Sequence, residues 1–199
     1  MNIIWHGHSC FEITGKDGTI VFDPYQANSV PGLDFLKLKA NLVLCSHEHD
    51  DHNARNCVEV APKDFKVTCI ETYHDHHQGS HRGKNTIHIV DFEDLKVVHM
   101  GDIGCMMDDV SKLKNCDVLM IPIGGYYTID TKEALKYIER IQPRIVIPMH
   151  YRSHEFGYDV LSTNEEFIQQ SSSVTYVDDC LEVNKDTKTQ TVVFKKPRN

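Results

Sequence analysis

The segment His47-Glu48-His49-Asp50-Asp51-His52 restricts the fold and chemistry of this chain more than any other part of its sequence. It follows the apolar run Leu42-Val43-Leu44-Cys45, whose length and composition predict a short strand buried on both faces. Eight of the 13 histidines lie between residues 47 and 88, so histidine is concentrated here rather than spread along the chain. We therefore expect a loop rich in imidazole and carboxylate at the C-terminal end of a buried strand.

The spacing His47-x-His49-x-Asp51-His52 is typical of metal ligands. Side chains two residues apart in an extended segment point to the same side, so His47 and His49 can bind one ion. A turn after them would direct Asp51 and His52 toward a second ion. Imidazole with carboxylate suits Zn²⁺, with Mn and Fe as alternatives. The sequence therefore predicts two divalent metal ions as cofactors, with Zn in first place, rather than a solvated acidic loop.

Two ions need more ligands than this segment supplies, and three later side chains each follow a predicted strand. They are His74, Asp102 and His150. The tract His74-Asp75-His76-His77 leaves His76 as the alternative to His74. Each of these residues alone is a weak signal, but their order after the first motif predicts that distant strand ends converge on one centre.

The remaining pattern predicts an α/β fold with sheets inside and helices outside. A helix is expected over Thr131–Ile141, capped by Asp130 with Glu133 three residues later, and a second helix should open in the same way at Thr163-Asn164-Glu165-Glu166. Two strand-like runs around Asn184–Thr187 predict a final hairpin. Further strands are expected over residues 10–14, 19–22, 66–70, 86–90, 95–99, 118–121 and 144–148.

Composition and charge limit the kinds of molecule that the protein is expected to bind and the cellular compartment in which it is expected to be found. The net charge is −8 with neutral histidines, and no block of Lys or Arg offsets it, so nucleic-acid binding is disfavoured. The seven cysteines include no C-x-x-C pair and mostly lie beside apolar residues, which predicts reduced, buried thiols. No apolar run approaches the roughly 20 residues of a membrane span, and no signal sequence is recognisable. We expect a cytoplasmic protein without a membrane partner.

The ligand series resembles the metallo-β-lactamase superfamily over essentially the whole chain. The resemblance implies a four-layer αβ/βα sandwich, a single domain over residues 1–199 with two similar halves, roughly 1–105 and 106–199. It also implies three ligands for each ion and a bridge between them: His47, His49 and His74 on the first, Asp51, His52 and His150 on the second, and Asp102 between.

A closer similarity is to a bacterial and archaeal branch of zinc-dependent hydrolases that includes the ascorbate-6-phosphate lactonases. Many members of this branch have no established substrate, so the similarity specifies the fold better than the reaction. The motifs that carry it are Gly7-His8-Ser9-Cys10-Phe11, Asp23-Pro24, His74-Asp75, Arg82-Gly83-Lys84-Asn85, His99-Met100-Gly101-Asp102, residues 122–130 and Pro148-Met149-His150-Tyr151.

We therefore predict a hydrolase in which two ions, roughly 3.5–4 Å apart, share a bridging hydroxide that attacks a lactone, ester, thioester or phosphoester. Asp51 is the predicted catalytic residue, because it would orient this nucleophile as well as bind metal. Asp23, which ends a strand, is expected to hold a ligand histidine by its ring N–H. For His8 two interpretations stay open, entry into the site or a structural polar role.

The substrate is expected to be a small, anionic molecule. Arg82 would hold a phosphate or carboxylate, with a solvated loop arginine as the alternative, and Asn85 lies in the same loop. Gly125 and Thr128 are expected to line the pocket. We expect an open cleft, covered only by loops or, in a homo-oligomer, by a partner subunit.

Two other functions fit the same ligands. One is an iron-dependent oxidoreductase similar to the sulfur dioxygenases. The related flavodiiron proteins have Glu in place of the second histidine, whereas His49 is retained here. The other is a phosphodiesterase or nuclease, against which the acidic charge and short length argue.

Overall fold

The structure, a computed structural model, describes residues 1–198. Within this range the chain forms 14 β-strands, two α-helices and one 3₁₀ turn at Arg55–Cys57. None of the helices in it has the length and apolarity needed to cross a membrane. The helices are α1 Thr131–Ile141 and α2 Glu165–Gln170. The strands are β1 Asn2–Gly7, β2 Cys10–Gly15, β3 Gly18–Phe22, β4 Leu38–Ala40, β5 Leu42–Leu44, β6 Val58–Val60, β7 Lys66–Tyr73, β8 Lys84–Phe92, β9 Leu95–His99, β10 Val118–Pro122, β11 Ile145–Met149, β12 Val174–Val177, β13 Cys180–Glu182 and β14 Gln190–Phe194.

Two large sheets enclose a common core. One has five strands in the order β13-β1-β2-β3-β5, the other has seven in the order β12-β14-β11-β10-β9-β8-β7, and β4 pairs with β6 alone. Both large sheets contribute side chains to one buried cluster, among them Phe22 from β3 and Phe92 from β8. Burying such a side chain stabilises the fold by about 1.5–3 kcal/mol. Helix α1 packs on the same cluster through Ala134, Tyr137 and Ile141, which gives the layered α/β arrangement.

Alternation along β3 explains why the smaller sheet is covered on both faces. Ile20 and Phe22 point into the core between the sheets, whereas Val21 points to a second cluster with Tyr25 and Val30. Successive side chains of a strand face opposite sides, so one apolar strand supplies two cores. The second cluster fastens the long segment between β3 and β4 to the sheet.

The direction of the strands brings their C-terminal ends to one edge of each sheet. Strands β9, β10 and β11 are parallel, and β7 runs with them because both β7 and β9 are antiparallel to β8. In the smaller sheet β3 and β5 are parallel, and β1 runs with them because both β1 and β3 are antiparallel to β2. Polar side chains that follow these seven strands can therefore meet.

Most sequence predictions of elements are confirmed. Helix α1 has the predicted bounds and a complete capping box: Asp130 accepts from the Glu133 N–H at 2.9 Å, and Glu133 accepts from the Asp130 N–H at 3.2 Å. The hairpin of β2 and β3 and each of the other strands expected from apolar runs are present. The division into two halves near residue 105 stays a prediction, and the seven-stranded sheet takes strands from both sides of that point.

Two strand predictions are wrong. The run Leu42–Leu44 forms β5, but its three residues are only half-buried because β5 lies at the edge of its sheet. The expected hairpin around Asn184–Thr187 does not form, since β13 pairs with β1 whereas β14 pairs with β11 and β12. Turn residues specify a local reversal of the chain, but they do not specify which sheet receives the strand that follows.

Two smaller expectations also differ from the structure. Helix α2 begins at the predicted place, but the Asn164 side chain makes no capping hydrogen bond. Of the seven cysteines only Cys10 and Cys116 are buried, and Cys69 is exposed. An apolar neighbour in sequence did not predict burial, because neighbours in a strand face opposite sides of the sheet.

Candidate metal centre

The first group of potential ligands consists of His47, His49 and His74, whose ligand atoms all lie within 4.8 Å of one another. His47 and His49 follow β5, and His74 follows β7. The alternative, His76, has a side chain that is 57% exposed and lies 3.6 Å from Glu133 Oε1. His74, which is only 2% exposed, is therefore the residue of this tract that faces the site.

A second group contains His8, Asp51, His52 and His150, again with ligand atoms within 4.8 Å of one another. His8 follows β1, and His150 follows β11. Of the two interpretations of His8, entry into the site is the one that matches its position. The segments that follow four strands of the two sheets, β1, β5, β7 and β11, thus contribute to one centre.

Asp102, in the turn after β9, lies between the two groups. Its Oδ2 atom is 3.1 Å from His52 Nε2, 3.0 Å from His150 Nε2 and 3.4 Å from His74 Nε2. Because these histidines come from both groups, the Asp102 carboxylate has the position expected of a bridging ligand.

Tight turns aim these side chains back at the strand ends. His8, Asp23 and His150 have φ values of 52°, 41° and 53°, a region that non-glycine residues rarely adopt, Asp and His more often than most. Gly101 has φ 56°, and a Cβ atom there would lie 2.4 Å from the Ser46 Cβ atom. Only glycine lets the turn that carries Asp102 pack against the loop that carries the first histidines.

Asp23 supports two of the histidines at once. Its buried carboxylate accepts hydrogen bonds from His52 Nδ1 at 2.8 Å, from the Ser46 N–H at 2.6 Å and from Ser46 Oγ at 2.6 Å. Ser46 Oγ in turn lies 2.9 Å from His47 Nδ1, so that ring nitrogen donates to the hydroxyl. This network assigns the ring proton of both histidines to Nδ1 and leaves Nε2 free as a ligand. The arrangement is the one expected for Asp23.

Asn85 fixes the backbone that carries Asp102. It is fully buried, its Oδ1 accepts from the Asp102 N–H at 2.8 Å, and its Nδ2 donates to Met100 O and to Thr72 Oγ1, each at 2.9 Å. Both ends of the amide are therefore used inside the protein. The substrate-binding role expected of Asn85 does not match this geometry, and the residue instead positions a ligand.

Burial and neighbouring charges shift the pKa values of several residues of the centre. Burial, aided by the charge of His52, lowers the pKa of His47 to about 3, and burial with the charge of His150 lowers that of His8 to about 4. Burial alone would raise the pKa of Asp102, but His150 and His52 lower it well below its usual value. His47 and His8 are thus neutral and Asp102 is ionised at neutral pH, which are the states of metal ligands. At His52 burial would lower the pKa, but the charges of Asp102, Asp51 and Asp23 raise it well above its usual value.

Hydrogen bonding provides a direct test of whether the residues fit metal ions. In residues 1–198, seven of the nine buried side-chain atoms without a hydrogen-bond partner belong to this centre. Leaving one such group unsatisfied costs about 1–3 kcal/mol, so a concentration of them needs an explanation. Metal ions bound at this point would take up His47 Nε2, His52 Nε2 and the free Asp102 oxygen. The donor set of imidazole and carboxylate suits Zn²⁺. The residues concerned are His8, His47, His52, His74, Asp102 and His150.

A pocket of about 290 Å³ opens beside the centre. Its outer wall combines Arg82, Tyr127 and Tyr158. The Arg82 guanidinium carbon lies 5.3 Å from the centre of the Tyr127 ring, a cation–π distance. Tyr158 OH lies 2.7 Å from Ser29 O and 3.2 Å from Asp51 Oδ2. The other lining residues are His49, Asp51, His74, Asp102 and His150.

The structure places the expected substrate-binding residues differently. Arg82 lines the pocket, but Gly125 and Thr128 do not, because both are buried within the turn before α1, where Thr128 Oγ1 donates to Ile129 O at 3.1 Å. The sequence argument missed Tyr158, which lies on a loop without recognisable spacing. It also missed Ser46, although a hydroxyl directly before a ligand histidine is a signal that could have been used.

A family model described as a beta-lactamase superfamily domain matches residues 2–150. The chain belongs to the metallo-β-lactamase superfamily. A UPF0173 metal-dependent hydrolase of Thermoplasma acidophilum is 28% identical over 193 residues, covering 78% of this chain and 85% of the relative. A UPF0173 protein of Pyrococcus furiosus is 30% identical over 183 residues, which cover 77% of this chain and 85% of the relative. The first of these relatives is named a metal-dependent hydrolase, and the shared family supports the same general class for this chain.

Solved structures agree on the metallo-β-lactamase fold. A Thermotoga maritima protein assigned to the Zn-dependent hydrolases of this superfamily is 27% identical, with a TM-score of 0.76 and 97% of each chain covered. An isothiocyanate hydrolase from Delia radicum gut bacteria has a TM-score of 0.62 at 11% identity, which is a likeness of fold alone. The predicted fold class is confirmed, while the narrower similarity to ascorbate-6-phosphate lactonases stays a prediction.

Proposed function

We propose that this protein is a hydrolase with two divalent metal ions, in which His47, His49 and His74 hold one ion and Asp51, His52 and His150 hold the other, with Asp102 between. The observation that carries the proposal is the convergence of these side chains around Asp102 Oδ2, which lies 3.0–3.4 Å from three imidazoles. Zn is the proposed metal, on the chemistry of the donors.

When bound, two divalent ions lower the pKa of a shared water to about 7 and polarise a substrate oxygen, which supplies a hydroxide for hydrolysis. Asp51 orients this nucleophile, because its carboxylate lines the pocket and faces His52. The pKa of Asp51 lies below its usual value: burial would raise it, but His52 and His8 lower it. An ionised Asp51 can accept a hydrogen bond from water and fix its orientation.

The proposed substrate is small and anionic. A pocket of about 290 Å³ lies at the lower end of the volumes of small-molecule sites. Two divalent ions bring four positive charges, Asp51 and Asp102 remove two, and Arg82 adds one, so the loaded site is positive. A lactone, ester or phosphoester with a carboxylate or phosphate group fits this charge.

The proposal is tested by preparing the metal-free protein, loading it separately with Zn and with Mn, and measuring metal content together with the hydrolysis of lactones, thioesters, phosphodiesters and sugar phosphates. We expect two ions per chain and activity toward an anionic member of the panel. Iron as the bound metal, with oxygen uptake and no hydrolysis, would favour the oxidoreductase alternative instead.

Asp51→Ala is the decisive variant, with Asp50→Ala as its matched control because Asp50 is the neighbouring exposed carboxylate. We expect Asp51→Ala to lower the rate by about 10²–10⁴-fold, the range for loss of a positioned acid–base group. Asp50→Ala should keep the rate of the unmodified protein. Hydrolysis that persists in Asp51→Ala with metal still bound would contradict the role assigned to Asp51.

A further inference from the structure

His8 is buried in the centre. It is fully buried, Nδ1 has no partner, and the contact that Nε2 makes is with the carboxylate of Asp51. Its Nε2 atom lies 3.2 Å from Asp51 Oδ2, and its ring centre lies 4.1 Å from that of His150 and 5.2 Å from that of His52. The ring therefore faces the same point as three proposed ligands of the second ion.

The backbone of His8 adopts an unfavourable conformation to hold the ring in this orientation. Its φ of 52° is a strained conformation, which costs on the order of 1–3 kcal/mol and persists only where the surroundings enforce it. Two donors enforce it here, because the Trp5 indole and the His150 N–H both donate to the His8 carbonyl, at 3.1 and 3.4 Å. Residue 8 is thus fastened to the same turn that carries His150.

His99 shows what a purely structural buried histidine looks like in this protein. It is also fully buried, yet its Nε2 donates to Ser9 O at 2.9 Å and its Nδ1 accepts from the Gly101 N–H at 3.2 Å. His99 therefore has no capacity left for another ligand. His8 has the same burial, but its Nδ1 is unpaired and its Nε2 faces a proposed metal ligand, Asp51, so it does not fit that role. A buried unsatisfied group costs about 1–3 kcal/mol.

We propose that His8 is a fourth protein ligand of the second ion, together with Asp51, His52 and His150. This inference rests on the proposed two-ion centre. It makes the two metal sites unequal, because the first has three histidines, one of which, His49, is exposed. Apart from the shared Asp102, the second ion then has four protein ligands and the first has three, so the first has more room for water or substrate. The second ion is thus retained, and the first exchanges and meets the substrate.

The test titrates metal-free protein with Zn²⁺ against a chelator of known affinity. For the unmodified protein we expect two ions bound with clearly different affinities. His8→Asn should lower the affinity for the more tightly bound ion by at least about 100-fold, the upper end of the effect of a merely supporting residue. The affinity for the more weakly bound ion should not change. Asn is chosen because it tolerates positive φ. The matched variant His49→Asn should show the opposite pattern and lower only the affinity for the more weakly bound ion.

Two further measurements separate a ligand from a structural residue. Co²⁺ added to His8→Asn should give an altered visible spectrum for the first equivalent, whereas His49→Asn should alter the second. A crystal structure of the unmodified Zn-loaded protein, which needs no variant, should have a His8 ring nitrogen about 2.0–2.1 Å from an ion. Thermal unfolding of both metal-free proteins checks that His8→Asn is folded.

Each outcome bears on a distinct claim. Two ions bound, with His8→Asn unchanged in affinity and spectrum, would overturn the role of His8 and leave the two-ion centre intact. A His8 ring more than about 3 Å from both ions in the loaded crystal would do the same, because Zn–N bonds are near 2.0–2.1 Å. Fewer than two ions bound by the unmodified protein would remove the proposed function and this inference with it.

Discussion

The metal-facing side of the pocket and its outer wall are held in place by different kinds of contact. On the metal-facing side, ligands follow directly on strands and are fixed by buried carboxylate and amide groups such as Asp23 and Asn85. On the outer wall, Arg82, Tyr127 and Tyr158 come from loops, are half-buried, and contact one another mainly through their rings and charges.

The difference separates two tasks of one site. Buried, hydrogen-bonded supports would hold the proposed metal ligands in fixed positions. Half-buried loop side chains can change without disturbing that centre, and so they suit the choice of substrate. Substitutions on the metal-facing side should therefore alter metal affinity. Substitutions on the outer wall should alter kinetic constants while the metal content stays the same.

Among the residues that support the ligands or line the outer wall, the largest effect is expected from Asp23→Ala. It removes the acceptor of His52 Nδ1 and of both Ser46 donors, so two ligand histidines lose their orientation. We expect Zn affinity to fall by up to about 100-fold, measured by competition with a chelator. Activity should return at saturating Zn to the extent that the ligands recover their positions. An unchanged affinity would break the distinction between the two sides of the pocket.

Arg82→Ala tests the outer wall. A hydrogen-bonded charge pair contributes about 1.5–3 kcal/mol, so KM for anionic substrates should rise by roughly 10-fold or more, while KM for a neutral analogue and the metal content stay constant. Lys84→Ala is the control, because Lys84 is a neighbouring cation that pairs with Glu71 and does not line this pocket. Equal effects on anionic and neutral substrates would remove the proposed anion contact.

The same difference between the two sides of the pocket explains which site residues could be predicted from the sequence. His74, Asp102 and His150 were predictable because each follows a short apolar run, and strand ends of one direction meet at one edge. Tyr158 was not predictable, since its position depends on the path of a loop that no periodicity describes.

Asn85 was misassigned for a related reason. It belongs to a motif beside Arg82, but it lies in β8 with its side chain turned inward, and sequence adjacency did not reveal that the two face different surroundings. The prediction of a final hairpin was wrong for a similar reason, because turn residues do not determine which strand the next strand pairs with.

Ser46→Ala should have a smaller effect on metal affinity than Asp23→Ala. It removes the link between His47 Nδ1 and Asp23 but leaves the direct bond from His52 to Asp23. We expect Zn affinity to fall by about 10-fold, at the lower end for supporting residues. Ser46→Thr, which keeps the hydroxyl, should restore most of it if the methyl group is accommodated. A loss as large as that of Asp23→Ala would mean that the two histidines are not supported separately.

Tyr158→Phe is expected to have the smallest effect, and on rate alone. The hydroxyl shares its one proton between Ser29 O at 2.7 Å and Asp51 Oδ2 at 3.2 Å. Burial together with the Asp51 charge raises its pKa, so it stays protonated as a donor. A neutral hydrogen bond contributes about 0.5–1.5 kcal/mol, so kcat should fall by roughly 2- to 10-fold with two ions still bound. Tyr126→Phe, at a side chain that is 65% exposed, serves as the control. Loss of metal in Tyr158→Phe would assign this tyrosine to the inner side of the pocket, because its hydrogen bond would then be holding a ligand rather than orienting the nucleophile.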